Sequence, residues 1–304
     1  MFDPPPDVVD ADLLAEVRRS WDTDVDGVTY AAVGFGAHHW KASVGGEPRL
    51  FVTYDLTSDR DASAVLEAAY DGAVALRDRG LEFVLAPLTS RAGRTLVEFA
   101  RGALSCTPWQ DGTSEQPLDL AWTRTVIARL HATEPPAGLP RWRPRVEPDF
   151  ADTVTEVADT AWGPGPYADR ARADVTTHLA DIARWTSRYH HLADVARGRA
   201  WVATHGEPHD ANQIRTEHER FLVDWDTLRL APAEVDLRVL VEAGSAAADV
   251  GADPEMLELF DHEWRLDEIA QYAPWFAAPH TGTRDDTIAF ADLAHELTRP
   301  EPEW

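Results

Sequence analysis

The segment Thr204-His-Gly-Glu-Pro-His-Asp-Ala-Asn212, followed by Leu222-Val-Asp-Trp-Asp226, constrains this chain more than any other part of it. Short apolar runs at 201–204 and 221–223 flank a polar loop and read as two strands. A strand, a loop ending in an amide and a second strand ending in a carboxylate place Glu207, Asn212 and Asp224 around one point. That grouping suits phosphoryl transfer. A carboxylate orients or deprotonates an attacking hydroxyl, and oxygen ligands hold the Mg²⁺ that neutralises nucleotide phosphates.

The rest of the chain changes character along its length. A helix is expected at 11–20, then three glycine-linked strands at 29–33, 38–44 and 50–54, with turns at Gly34-Phe-Gly36 and Gly45-Gly46. Val65, Leu66, Ala69, Ala73 and Leu76 recur at helical spacing over 61–79, and Gly80 stands at the helix end. Apolar runs at 81–88 and 95–107 read as two further strands. Helices follow at 118–132 and 174–196, with a Pro- and Trp-rich loop at 135–148 between them. Beyond the β island the chain reads as helical apart from a loop at 274–284. An α+β protein of two lobes is therefore expected, 1–110 carrying a sheet and 111–304 mostly helical. At 304 residues the chain exceeds the usual size of one domain, which agrees with two lobes.

Composition narrows the partners. The net charge of −25 argues against nucleic acid, whose phosphates are bound by clustered Lys and Arg. It favours a cationic small molecule. The stretch 233–304 holds 17 Asp/Glu against 4 Arg, so it carries 13 of the 25 net negative charges. Either a solvated surface or a wall that attracts a polycation accounts for that excess. With one cysteine, Cys106, no internal disulfide forms, and no apolar run is long enough for a membrane span. The start, Met1-Phe-Asp-Pro-Pro-Pro, lacks the basic and apolar regions of a signal peptide, so a cytoplasmic monomer or homodimer is expected. Lys41 is the single lysine among 28 basic residues. An ammonium is a compact point charge where a guanidinium is a planar fork, so Lys41 is a candidate for a role that arginine does not fill.

In these residues the chain resembles the aminoglycoside phosphotransferase family, a relative of the protein kinases. The family's loop reads His-Gly-Asp, four variable residues, then Asn, and its metal strand ends Ile/Val-Asp-Trp; His205, Gly206, Asn212, Asp224 and Trp225 match in order and spacing. Leu130-His-Ala132, the hinge-like Pro108 to Gly112 and the run Leu230 to Leu237 extend the resemblance. It implies a protein-kinase-like fold that uses ATP or GTP with Mg²⁺. Asn212 and Asp224 would be the metal ligands, and Glu207 the base or orienting group, with His205 and Asp210 beside it. Gly34, Gly36 and Trp109 would lie around the nucleotide. Asp226, Glu242, Asp261 and Glu263 are candidates on the acceptor side, and Trp264, Trp275 and Phe276 for stacking on a substrate ring.

Two departures from the family pattern stand out. Glu207 holds the family's aspartate position. Thr53 holds the place of the third-strand lysine that contacts phosphates and pairs with a helix glutamate. The with-no-lysine kinases supply that lysine from the neighbouring strand, where Lys41 stands here, and Glu67 is its expected partner. The acceptor implied is an aminoglycoside-like antibiotic; a metabolite such as choline, homoserine or a sugar, or an inactive kinase-like binding module, remain alternatives.

Overall fold

A computed structural model describes residues 1–56, 60–114 and 116–304. The chain divides into two compact units, 1–141 with 201–244, and 142–200 with 245–304. The expected 1–110 segment lies wholly in the first unit, and 111–141 and 201–244 join it there.

The first unit starts with α1 (Asp10–Ser20), then β1 (Gly27–Ala31), β2 (His38–Val44), β3 (Glu47–Leu56), α2 (Arg60–Asp78), β4 (Val97–Phe99) and β5 (Gly102–Pro108). These strands form one antiparallel sheet in the order β1-β2-β3-β5-β4. Because side chains alternate along a strand, β2 and β3 turn one face to the core. Trp40, Ala42, Leu50, Val52, Tyr54, Leu104 and Cys106 point one way and pack with Leu13 and Val17 of α1. The opposite face carries His39, Lys41, Phe51, Thr53, Asp55 and Ser105, with Lys41 in register with Phe51 and His39 with Thr53. Lys41 therefore shares a face with Thr53.

The remainder of this unit is β6 (Thr113–Ser114), α3 (Leu120–Ala132), and, after the insertion of the second unit, β7 (Val202–Thr204), β8 (Gln213–Arg215), β9 (Arg220–Leu222), β10 (Arg229–Ala231) and α7 (Glu234–Glu242). Asp119 caps α3 by accepting from the backbone N–H groups of Ala121 and Trp122. The segment 81–88, expected as a strand, is not one. Val84 N–H closes a turn on Leu81, Pro87 has no N–H to give, and only an isolated bridge joins Val84 to Leu222. Its apolar residues instead fill the core, where Leu81, Phe83 and Val84 meet Tyr70, Leu130, Leu222 and Trp225.

The second unit is helical: α4 (Phe150–Asp159), α5 (Ala168–Thr177), α6 (Leu179–Ala196), α8 (Ala247–Val250), α9 (Pro254–Ala277) and α10 (Arg284–Thr298), of which α9 packs on α4, α5, α6 and α10. The helix expected at 174–196 is two helices that meet at His178, whose ring Nδ1 bonds the Asp174 carbonyl. Among the described residues no helix is long and apolar enough to cross a membrane.

Candidate active site

The loop after β7 is fixed from below by one buried carboxylate. Asp236, near the start of α7, accepts from the backbone N–H of His205 (3.0 Å) and of Gly206 (2.7 Å), and its Oδ2 lies 2.9 Å from His131 Nε2 at the end of α3. Charge-assisted bonds of this kind contribute about 1.5–3 kcal/mol each. Two minor points of resemblance, Leu130-His-Ala132 and the run ending Asp236-Leu237, thus serve one function: they hold the polar loop. Gly206 has φ +101°, and a Cβ there would come 2.7 Å from Thr227 Oγ1, so neither the dihedral nor the space admits a side chain.

His205 is fully buried. Its Nδ1 accepts from the Glu207 N–H (3.2 Å), which leaves Nε2 to donate to the Val223 carbonyl (2.8 Å). Burial lowers its pKa, in keeping with a neutral ring. His205, expected beside the base, acts through these two bonds as a strut between the Glu207 loop and the end of β9. Its ring also lies edge-on to Trp225, 4.5 Å away.

That strut brings the three expected functional groups to one place. Asn212 ends a single 3-10 turn and donates from Nδ2 to the Glu207 carbonyl (3.0 Å). The Asn212 carbonyl accepts from Val223 N–H (2.9 Å), joining β8 to the end of β9. Asp224 follows with φ +67°, a left-handed conformation rare outside glycine and costing of order 1–3 kcal/mol where the surroundings impose it. Trp225, buried in the core with its Nε1 on the Leu222 carbonyl (2.8 Å), holds that bend. Asp224's carboxyl opens to solvent at its tip yet stands in a crowded acidic surround, and desolvation there, then Glu207, then Asp55 push its pKa up to about 7.

Asp55 is a member of this site that sequence reasoning missed. It stands two residues past Thr53 on the same face of β3, and its pKa is raised to about 7 by burial and by Asp226. Tyr70 of α2 reaches its Oδ2 at 3.4 Å. Its signal was period two: any residue two past the lysine position faces the same way. Asp226, expected toward the acceptor, stands close enough to Asp55 and Asp224 to act on the pKa of each, next to this acidic centre. Asp210 lies on the 3-10 turn, half-buried, and Glu207 is half-buried with His209 Nε2 3.9 Å from its carboxylate.

On the sheet side, Lys41 is half-buried and makes no ion pair among the described residues. Glu67 does not pair with it: Arg94 grips both Glu67 oxygens in a fork. A guanidinium matches a carboxylate with two parallel bonds, a contact that one ammonium does not duplicate. Gly34 and Gly36 take left-handed φ of +68° and +98°, and the Met1 ammonium donates to the Gly34 and Ala37 carbonyls at 2.9 and 2.8 Å. Trp109 lies 6.4 Å from Phe51, its Nε1 on Asp111.

Three acidic acceptor-side candidates are engaged elsewhere. Asp261 is buried against Arg299 (2.7 Å); Glu263 is buried and accepts from Trp142 Nε1 (2.6 Å) and Tyr189 Oη (2.8 Å). Glu242 pairs with Arg238 at the end of α7 (2.9 Å). Phe276 is core, packed on Tyr167 and Phe290, and Trp275 donates to Asp286.

A sheet face with a glycine turn, a hinge, and a loop presenting Glu207, Asn212 and Asp224 defines a phosphotransferase with the protein-kinase-like α+β fold. Comparison with known proteins agrees. Residues 45–275 match the model of the phosphotransferase enzyme family, and the chain belongs to that family, whose members are small-molecule phosphotransferases. Protein StrN of Streptomyces griseus is 31% identical over 262 residues, 80% of each chain. Among solved structures, spectinomycin phosphotransferase APH(9)-Ia with ADP and spectinomycin superposes with TM-score 0.71 at 15% identity, covering 97% of this chain and 96% of that one. Amicoumacin kinase hAmiN follows at TM-score 0.57 and 12% identity, covering 95% and 93%.

Proposed function

We propose that the chain moves the γ-phosphoryl group of ATP or GTP to a hydroxyl of a small, cationic, aminoglycoside-like molecule. The observation that carries this reading is the meeting of Glu207, Asn212 and Asp224 on one loop and strand end, fixed by Asp236 and His205. Glu207 would orient the hydroxyl and take its proton as the oxygen–phosphorus bond forms and the bond to the departing diphosphate breaks.

Asn212 and Asp224 fit Mg²⁺ by the chemistry of the donor set: an amide oxygen and a carboxylate are hard oxygens, and Glu207 and Asp55 add negative charge beside Asp224. When bound, the ion would neutralise charge on the phosphates. Lys41 stands on the sheet face toward Thr53 and Asp55, and would meet the phosphates from that side. A cationic acceptor is supported by the net charge of −25 and by the spectinomycin bound to the structural relative.

The test is transfer of labelled phosphate from Mg-ATP and Mg-GTP to a panel of aminoglycosides and related amines, with choline, homoserine and sugars alongside. Transfer to an aminoglycoside or related amine is the expected result. Transfer only to a metabolite replaces the acceptor and keeps the phosphotransferase; no transfer and no nucleotide binding at millimolar concentration sinks both.

A further inference from the structure

Thr53 stands where a lysine clamps phosphates in kinases, and its hydroxyl is occupied. Thr53 Oγ1 lies 3.2 Å from Nδ1 of His39, its register partner on β2. The His39 ring stacks on Phe51, centroids 4.8 Å apart and planes 30° from parallel. Its far nitrogen lies beneath the glycine turn, since a methyl group placed on Gly34 would come 3.4 Å from His39 Nε2. Kinase loops that cover phosphates read G-x-G-x-x-G. Counted from Gly34, those three positions are Gly34, Gly36 and His39. An imidazole thus occupies the third glycine position, braced at one nitrogen and along its face.

Burial first, then the N-terminal ammonium and His38, lower the His39 pKa to about 3, so the ring is neutral and carries one hydrogen. In the tautomer whose Nδ1 accepts from the Thr53 hydroxyl, that hydrogen sits on Nε2 and faces the glycine turn. Lys41 lies two residues further along the same face.

We propose that His39, braced by Thr53, contacts the nucleotide phosphates and shares with Lys41 the place that one third-strand lysine fills in kinases. A neutral N–H supplies direction and the ammonium supplies charge. Lysine at 53 would remove the hydroxyl that sets the imidazole, so the threonine and the histidine form one unit.

This inference rests on the phosphotransferase reading, and the experiment separates the two. Calorimetry on the full chain compares Mg-ATP with adenosine, for the wild type and for His39→Ala, His39→Gln and Thr53→Val. A hydrogen bond to a charged group is worth about 1.5–3 kcal/mol, so His39→Ala is expected to weaken Mg-ATP by about 10-fold or more. Adenosine, which has no phosphates, should bind as before. The Gln side chain keeps an N–H donor, so His39→Gln should recover most of the loss, and Thr53→Val should weaken Mg-ATP alone by a smaller factor. Equal loss for ATP and adenosine would make His39 a strut of the turn and overturn the inference; so would no loss for either. A wild-type chain that binds no nucleotide overturns the functional reading and this one with it. Thermal melts check each variant, and Thr53→Val carries the test should His39→Ala not fold.

Discussion

Asp55 and Asp224 are held as acids where most carboxylates are ionised, and the cost shows in pH dependence. Their unfolded values lie near 3.9, whereas both are raised to about 7 in the folded chain. Between those limits the folded state keeps protons that the unfolded chain releases, so stability falls as pH rises from about 4 through 7. The apo protein is therefore expected to resist urea better at pH 5 than at pH 8, and Asp55→Asn should flatten that slope. Asp224 opens to solvent, which screens its share, so Asp55 carries more of the effect. A slope of opposite sign, or one unchanged in Asp55→Asn, would refute the assignment. Gly206 gives a sharper test. Its φ of +101° and the 2.7 Å approach to Thr227 predict that Gly206→Ala costs about 1–3 kcal/mol by denaturant unfolding. Adding Thr227→Ala relieves the crowding and not the dihedral, so the double variant should regain only part.

At the scale of elements, Asp236 shows how helices α3 and α7 hold the polar loop after β7. Asp236→Ala strands the buried N–H groups of His205 and Gly206 and the ring of His131, an expected loss of about 3 kcal/mol. Asp236→Asn should not rescue fully, because its amide turns a donor toward one of the donors. Unfolding midpoints of both variants check this, and a near-neutral Asp236→Asn would mean that only one bond matters. The sequence made much of this legible. Period-two and helical spacing located β1 to β3, α2 and α3, and the loop motif located Glu207, Asn212 and Asp224, because period and motif are local properties. The strand expected at 81–88 failed because apolar content alone does not separate a strand from a turn-rich segment filling a core. Asp261 and Glu263 failed for a different reason. A carboxylate reads the same in sequence whether it meets solvent, a substrate, Arg299 or a buried Tyr189, and only the fold tells them apart.

For the whole molecule the governing quantity is charge. A net −25 repels itself, and screening relieves that repulsion, with a Debye length of about 10 Å at 0.1 M salt and about 3 Å at 1 M. The melting temperature of the apo protein is expected to rise between low salt and 0.5 M NaCl, against the usual loss of surface ion pairs such as Arg19–Glu16 and Arg197–Asp194, which contribute little. The same field bears on the acceptor. Asp261 and Glu263 are engaged internally and Glu242 pairs with Arg238, so under the proposed function attraction of a cationic acceptor would rest on the summed field and be screened as a field. The acceptor KM should then climb with ionic strength while kcat holds. A built carboxylate pocket in close contact with the ammonium groups would lose far less affinity to salt. Steady-state kinetics from 0.05 to about 0.5 M NaCl distinguish the two, since screening acts on separations beyond a Debye length and spares short contacts. A KM indifferent to salt would show that charge does not draw this acceptor, and would point to a neutral molecule as the one phosphorylated.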